Sequence, residues 1–251
     1  WQAFYRCRNL TEVSIPASVV EIEYPFDGCT GLLNIRVASG NASYCDKDGV
    51  LFSKDGKQLL RYPTGRIGSY KIPDGTVYFG KLGGFEDCAG LTDVTFPSSV
   101  EEIEADAFDG TAWLAQQGDF AIANGILFRY LGSAVGKTIT IPENVTYMGP
   151  MAFDFPGVEH NPESVIIPAS VKKIGSAHAG TFNSAVGPFN TGGYSIHHVT
   201  ILGKDTEINC LWSLDDGGWG SFWSEDELYI HGYTGSTAEA YAKENHIKIG
   251  R

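Results

Sequence analysis

Apolar residues recur along this chain on a fixed frame. The frame runs Phe4, Cys7, Leu10, Val13, Ile15, Pro16, Val19, Ile22 and returns 81 residues later as Phe85, Cys88, Leu91, Val94, Phe96, Pro97, Val100, Ile103. Polar positions match too, at Thr11/Thr92, Ser18/Ser99 and Glu21/Glu102. A frame of this kind predicts a stack of like units, each burying its apolar face against its neighbours. The alternation Val13-x-Ile15 is that of a short strand with one face inward. Similar pairs occur at Ile35/Val37, Tyr70/Ile72, Val94/Phe96, Ile139/Ile141, Val165/Ile167, Val199/Ile201 and Leu228/Ile230, at successive spacings of 22, 35, 24, 45, 26, 34 and 29 residues. About eight rungs are expected, on a basic repeat of 22 to 26 residues, with insertions in the longer intervals.

Proline ends several of these strands, at Pro16, Pro73, Pro97, Pro142 and Pro168, because it gives no N–H to a ladder and fixes its own φ. Val19, Val100, Val145 and Val171 follow three residues later, then Ile22, Ile103, Met148 and Ile174, and these predict an opposite wall. Tyr70–Gly80 fits the frame with one extra residue. Two apolar runs flank Asp55-Gly56 in the insertion Asp48–Pro63, a hairpin signature, and Asn124-Gly125 opens a second insertion in the same way. Ser176–Tyr194, rich in Gly, Ala, Ser and Asn, reads as a loop. Near the C-terminus, Ser236-Thr-Ala-Glu239 has capping-box form, so a short helix should follow, stopping near Asn245, with a final strand at Ile247–Ile249.

Composition narrows the classes. A net charge of −12 opposes binding to nucleic acid or to anionic membrane surfaces, and no apolar run is long enough to insert in a membrane. The chain begins inside a repeat, without the layout of a signal peptide, so it reads as an excised fragment that leaves the compartment open. Five cysteines cannot all pair with one another; Cys7, Cys29 and Cys88 each follow a Phe by three residues, a position that predicts buried inert thiols.

The unit Leu10-x-x-Val13-x-Ile15-Pro16-x-x-Val19-x-x-Ile22, with its Phe-x-x-Cys-x-x-Leu lead-in, resembles the BspA-like leucine-rich repeats of bacterial surface proteins. The likeness extends to the hairpin segment 48–63 and to the ending Gly232–Ala242, and it weakens in 176–194 and 209–223. It implies a mainly β repeat solenoid over 1–251, a curved stack with inserted hairpins and a short capping helix, with 209–251 forming an irregular C-terminal cap. It further implies secretion or display at a bacterial surface, adhesion or protein binding, and no catalysis.

Candidate chemistry is sparse. Gly132–Thr138 has three residues between its glycines where a phosphate loop needs four, and a strand pattern follows instead of a helix. Asp46-Lys-Asp-Gly49 lacks the first acidic ligand of a calcium loop and reads as a turn into the hairpin. His197 and His198, adjacent on a strand, face opposite ways, so no metal, cofactor or catalytic residue is expected. Asn9, Asn41 and Asn144 match a glycosylation sequon by chance. Two surfaces remain as candidates. The outward row of the strands offers Arg36, Lys71, Asp93, Thr95, Thr140, His198 and Tyr229, a mixed face without an aromatic ladder, suited to a host or matrix protein. Trp212, Trp219 and Trp223, in a Gly-rich insertion with Asp215 and Asp216, would either stack on a glycan or pack as part of the cap. A purely structural spacer is the third reading.

Overall fold

The computed structural model describes residues 3–23, 26–133, 137–150, 152–153, 162–176, 197–209 and 229–250. The protein is mainly β, with one short α-helix among the described residues, and its chain divides into two compact bodies, residues 1–117 and 118–251.

In the first body, β1 (Glu12–Ile15) and β2 (Asn34–Val37) run parallel with Val13 beside Ile35 and Ile15 beside Val37. Then β3 (Tyr44–Lys47), β4 (Val50–Ser53) and β5 (Gln58–Arg61) form an antiparallel meander. Next come β6 (Gly68–Lys71), β7 (Tyr78–Gly84), β8 (Leu91–Thr95) and β9 (Glu102–Ile103). β6 pairs in parallel with β8, while β7 joins β5 to β9, also in parallel. The strands of the apolar frame thus make one set of ladders, and the residues beyond each proline make another, which the meander extends.

The hairpin expected around Asp55-Gly56 is present. Asp48-Gly49, expected only as a lead-in turn, closes a second hairpin between β3 and β4, with φ of 51° and 72° at its two residues. Positive φ at both central positions matches the right-handed twist of the flanking strands. The extra residue expected in Tyr70–Gly80 is not needed. Thr76 N donates to Pro73 O at 3.2 Å, just as Val19 N bonds Pro16 O and Val100 N bonds Pro97 O, and Phe79 takes the place of Ile22 and Ile103. Thr76 stands where the frame has Val, and its buried hydroxyl donates to Pro73 O at 2.8 Å.

In the second body, β10 (Phe120–Ala123) and β11 (Ile126–Tyr130) form a hairpin on Asn124-Gly125. The order continues β12 (Thr138–Thr140), β13 (Tyr147–Met148), β14 (Ser164–Ile167), β15 (Lys173–Ile174), β16 (His198–Ile201), β17 (Glu207–Ile208), β18 (Tyr229–His231), α1 (Thr237–Glu244) and β19 (Lys248–Gly250). β12, β14, β16, β18 and β19 form one parallel ladder; β11, β13, β15 and β17 form the facing one. Between them lie Ile141, Val145, Met148, Val165, Ile167, Val171, Ile174, Val199 and Ile201, all fully buried. Ser236 caps α1 by accepting from Glu239 N at 3.2 Å, Glu239 accepts from Gly235 N, and Ala238 and Ala242 turn into the core. The rung expected at Leu228/Ile230 is displaced by two residues: Ile230, not Leu228, stands beside Val199. A two-residue slip keeps every side chain on its face, so alternation alone could not detect it.

The lead-in turn recurs with constant geometry. Cys7 N bonds Phe4 O, Cys29 N bonds Phe26 O, Cys88 N bonds Phe85 O and Thr111 N bonds Phe108 O, at 3.0 to 3.1 Å. The residue before each of the last positions, Arg6, Gly28, Asp87 and Gly110, has φ of 57°, 71°, 61° and 73°. The copy Phe108–Thr111 escaped the sequence reading because Thr replaces Cys. Cys29 and Cys88 are buried as expected, but Cys7 is exposed, and Phe4 at the start of its turn is 38% exposed. Burial pushes the Cys88 thiol up to about 12.

Asn41, a sequon match in sequence, is 1% exposed and joins two repeats. Its Nδ2 donates to Pro16 O and Val19 O at 2.9 and 2.8 Å, and its Oδ1 accepts from Ser43 N and Tyr44 N, both at 2.8 Å. Asn41→Ala should therefore lower unfolding free energy by about 2–4 kcal/mol in urea titration, since four backbone groups lose their partner; a loss below about 0.5 kcal/mol would contradict this assignment. Under native conditions a thiol reagent should modify Cys7 while sparing Cys29 and Cys88, as read by peptide mass spectrometry.

Candidate functional site

The alternation that buries one side of each strand presents the other to solvent. In the first body, Glu12 lies beside Asn34 and Ser14 beside Arg36 on one ladder, and Ser69 lies beside Asp93 and Lys71 beside Thr95 on the other. Arg36, Lys71, Asp93 and Thr95 are exposed. Arg36 Nε donates to Glu12 Oε2 at 3.0 Å, a solvent-screened pair of small energetic weight. Arg66, missed in the sequence reading, gathers acceptors of the β2 region: its Nε donates to Leu33 O at 2.6 Å, and its Nη2 donates to Asn34 Oδ1 at 3.1 Å and Asp48 O at 2.6 Å. No motif marks it, because two of its three acceptors are backbone carbonyls, one just before β2 and one in the β3–β4 turn.

The second body's face differs in chemistry. One outward row runs Thr138, Ser164, His198, Tyr229 and Lys248; the next runs Thr140, Ile166, Thr200, His231 and Gly250. Thr140 is exposed, whereas His198, Tyr229 and His231 are half-buried by one another. The two-residue slip of β18 sets Tyr229 beside His198, where their rings stack at 5.2 Å, and not beside Thr200 as alternation implied. It also brings in His231, which the sequence reading passed over. Trp212, Trp219 and Trp223, with Asp215, Asp216 and most of the 176–194 loop, lie outside the described residues. Among the described residues no three His, Cys, Asp or Glu side chains converge to hold a metal.

A family model described as BspA type leucine rich repeat region matches residues 1–48 and 62–178 in six copies. The break between the two matched stretches, 49–61, holds the β4–β5 hairpin, and the match ends before β16. Among solved structures, a leucine-rich cell surface protein from Faecalibacterium prausnitzii shares 32% identity over 66% of this chain and 44% of its own, with a TM-score of 0.44. A leucine-rich repeat protein from Eubacterium ventriosum shares 20% over 88% of this chain and 48% of its own, TM-score 0.40. The pneumococcal vaccine antigen PcpA shares 20% over 96% and 56%, TM-score 0.39. The chain thus spans about half the length of these structures. No curated protein matches the chain.

The charged groups of the first body divide between this exposed face and a few desolvated sites. Arg61 is buried and counters the carboxyls of Asp27 and Glu86, both of which burial nevertheless raises. Glu104 carries the largest change among the carboxyls: burial, with Asp106 nearby, raises it to about 7, and Tyr78 Oη donates to its Oε1. The folded state thus holds this proton more tightly than the unfolded chain. Its stabilising effect is complete below about pH 4.5 and is lost as pH rises through about 7. Glu104→Gln should abolish this dependence and raise stability at pH 8 by about 1–2 kcal/mol, after allowance for partial exposure. Chemical denaturation of both proteins at pH 5 and pH 8 checks it; parallel pH profiles would refute the assignment.

Proposed function

The chain belongs to the BspA-type leucine-rich repeat family, and from that premise we propose that it is a non-enzymatic, surface-displayed scaffold that binds protein. In this reading the repeats form a curved solenoid on, or secreted from, a bacterial cell, and the outward ladder rows adhere to a host or matrix protein. The observation that carries the reading is the division of labour within each strand. Ile35, Ile72 and Val199 are fully buried, while their neighbours Arg36, Lys71 and His198 carry varied chemistry to the surface. Such a frame holds side chains at fixed spacing without constraining their identity. Charges on the rows, Arg36, Lys71 and Asp93, would govern orientation and association rate, and the half-buried Tyr229 offers an aromatic anchor. Among the described residues no helix is long and apolar enough to cross a membrane.

The reading is tested by biolayer interferometry of the purified chain against immobilised matrix proteins such as fibronectin, laminin and collagen. Saturable binding to at least one is expected. Arg36→Glu with Lys71→Glu should slow association about tenfold with the melting temperature unchanged, and Tyr229→Ala should speed dissociation in a protein that stays folded at the assay temperature. Absence of binding across the panel, or affinity indifferent to both sets of substitutions, would overturn it.

A further inference from the structure

The parallel register of β16 and β18 sets His198 beside Tyr229 and Thr200 beside His231, so the two histidines stand diagonally on adjacent strands. Their rings face each other, with His198 Nδ1 3.0 Å from His231 Nε2. Each ring is held from a further side. Tyr229 stacks on His198 at 5.2 Å and 22°, and His231 lies over Gly250 of β19, where any Cβ would overlap its ring. Lys248 Nζ sits 5.6 Å from the Tyr229 ring centroid, on the far row from His231.

We propose that His198 and His231 form a two-point site for a late first-row divalent cation, Cu2+ or Zn2+. Imidazole nitrogens bound at about 2.0–2.1 Å stand about 2.8–3.4 Å apart across a square-planar to tetrahedral shell, and the 3.0 Å separation of the pair falls within that range. A cation between the two nitrogens takes both lone pairs and replaces the single hydrogen bond, leaving His198 Nε2 and His231 Nδ1 to carry the protons. Both rings bind in their neutral form, each offering one nitrogen lone pair to the cation. The net charge of −12 adds a general attraction for cations. With two protein ligands, water fills the remaining positions. The adjacent pair His197-His198 pointed away from any joint site; the partner of His198 is 33 residues on and is brought to it by the strand register. The site stands whether or not the ladder face binds protein.

Titration of the tag-free chain with Cu2+, and separately with Zn2+, by isothermal calorimetry should show one saturable equivalent of each. His198→Gln and His231→Gln should each weaken binding about tenfold or more, with far-ultraviolet circular dichroism unchanged. Electron paramagnetic resonance of the Cu2+ adduct of the unaltered protein should report two equatorial imidazole nitrogens, a readout independent of how the variants fold. Non-saturable binding, a spectrum with fewer than two such nitrogens, or affinity retained in both variants would overturn the proposal.

Discussion

The lead-in turn of the repeat holds the first body together, and its geometry restricts which residues can follow one another in the stack. Each copy places a residue in the left-handed region, where an ordinary side chain costs about 1–2 kcal/mol. Arg6 and Asp87 pay that cost, and in the next copies Gly28 and Gly110 do not. The alternation has a steric cause. A Cβ at Gly28 would meet Arg6 Cγ at 2.8 Å, and one at Gly110 would meet Asp87 Oδ1 at 3.2 Å, so a side chain on one turn lies across the glycine of the next. Arg6 N and Asp87 N donate across the same gap to Asp27 O and Asp109 O, both at 2.7 Å. The conserved turn hydrogen bond thereby aligns the Phe rings. Phe4 lies over Phe26 at 6.0 Å, and Phe85 over Phe108 at 4.7 Å with 9° between their planes. From Phe108 the contacts run on to Trp113 at 4.6 Å.

This packing explains why much of the fold was legible in sequence. A position that must face the core of every repeat keeps the same character in each copy, so the inward pairs, the strand-ending prolines and the opposite wall all appear as periodic signals. The hairpins at Asp55-Gly56 and Asn124-Gly125 were legible for a separate reason, since glycine takes the positive φ of the turn, 70° at Gly56 and 78° at Gly125, whereas the one on Asp48-Gly49 read only as a lead-in turn. Three details were not. Thr76 kept the register of its repeat while disguising it with a polar residue, the copy at Phe108–Thr111 has threonine in place of cysteine, and Cys7 is exposed although it holds the same frame position as the buried Cys29 and Cys88.

The candidate face was legible by half. Alternation identified which residues point outward, and Arg36, Lys71, Asp93 and Thr95 do so. It could not say which outward residues meet, because that depends on the register between strands whose paired residues lie up to 34 positions apart in sequence, separated by insertions of unequal length. The slip of β18 is the clearest case: period two is preserved, the core is unaffected, and yet Tyr229 changes partners from Thr200 to His198 while His231 enters the face.

That independence has a consequence for where specificity can reside in such a protein. Burial fixes the inward residues, and hydrogen bonds of the kind made by Asn41 fix the spacing between repeats, so neither can vary freely without loss of stability. Outward residues bear little of that load. A two-residue difference in register leaves every inward position inward, so the core does not determine which outward residues meet, and it is the register that stacks His198 on Tyr229. A constellation of this kind, made by residues 31 and 33 positions apart, leaves no motif in the sequence.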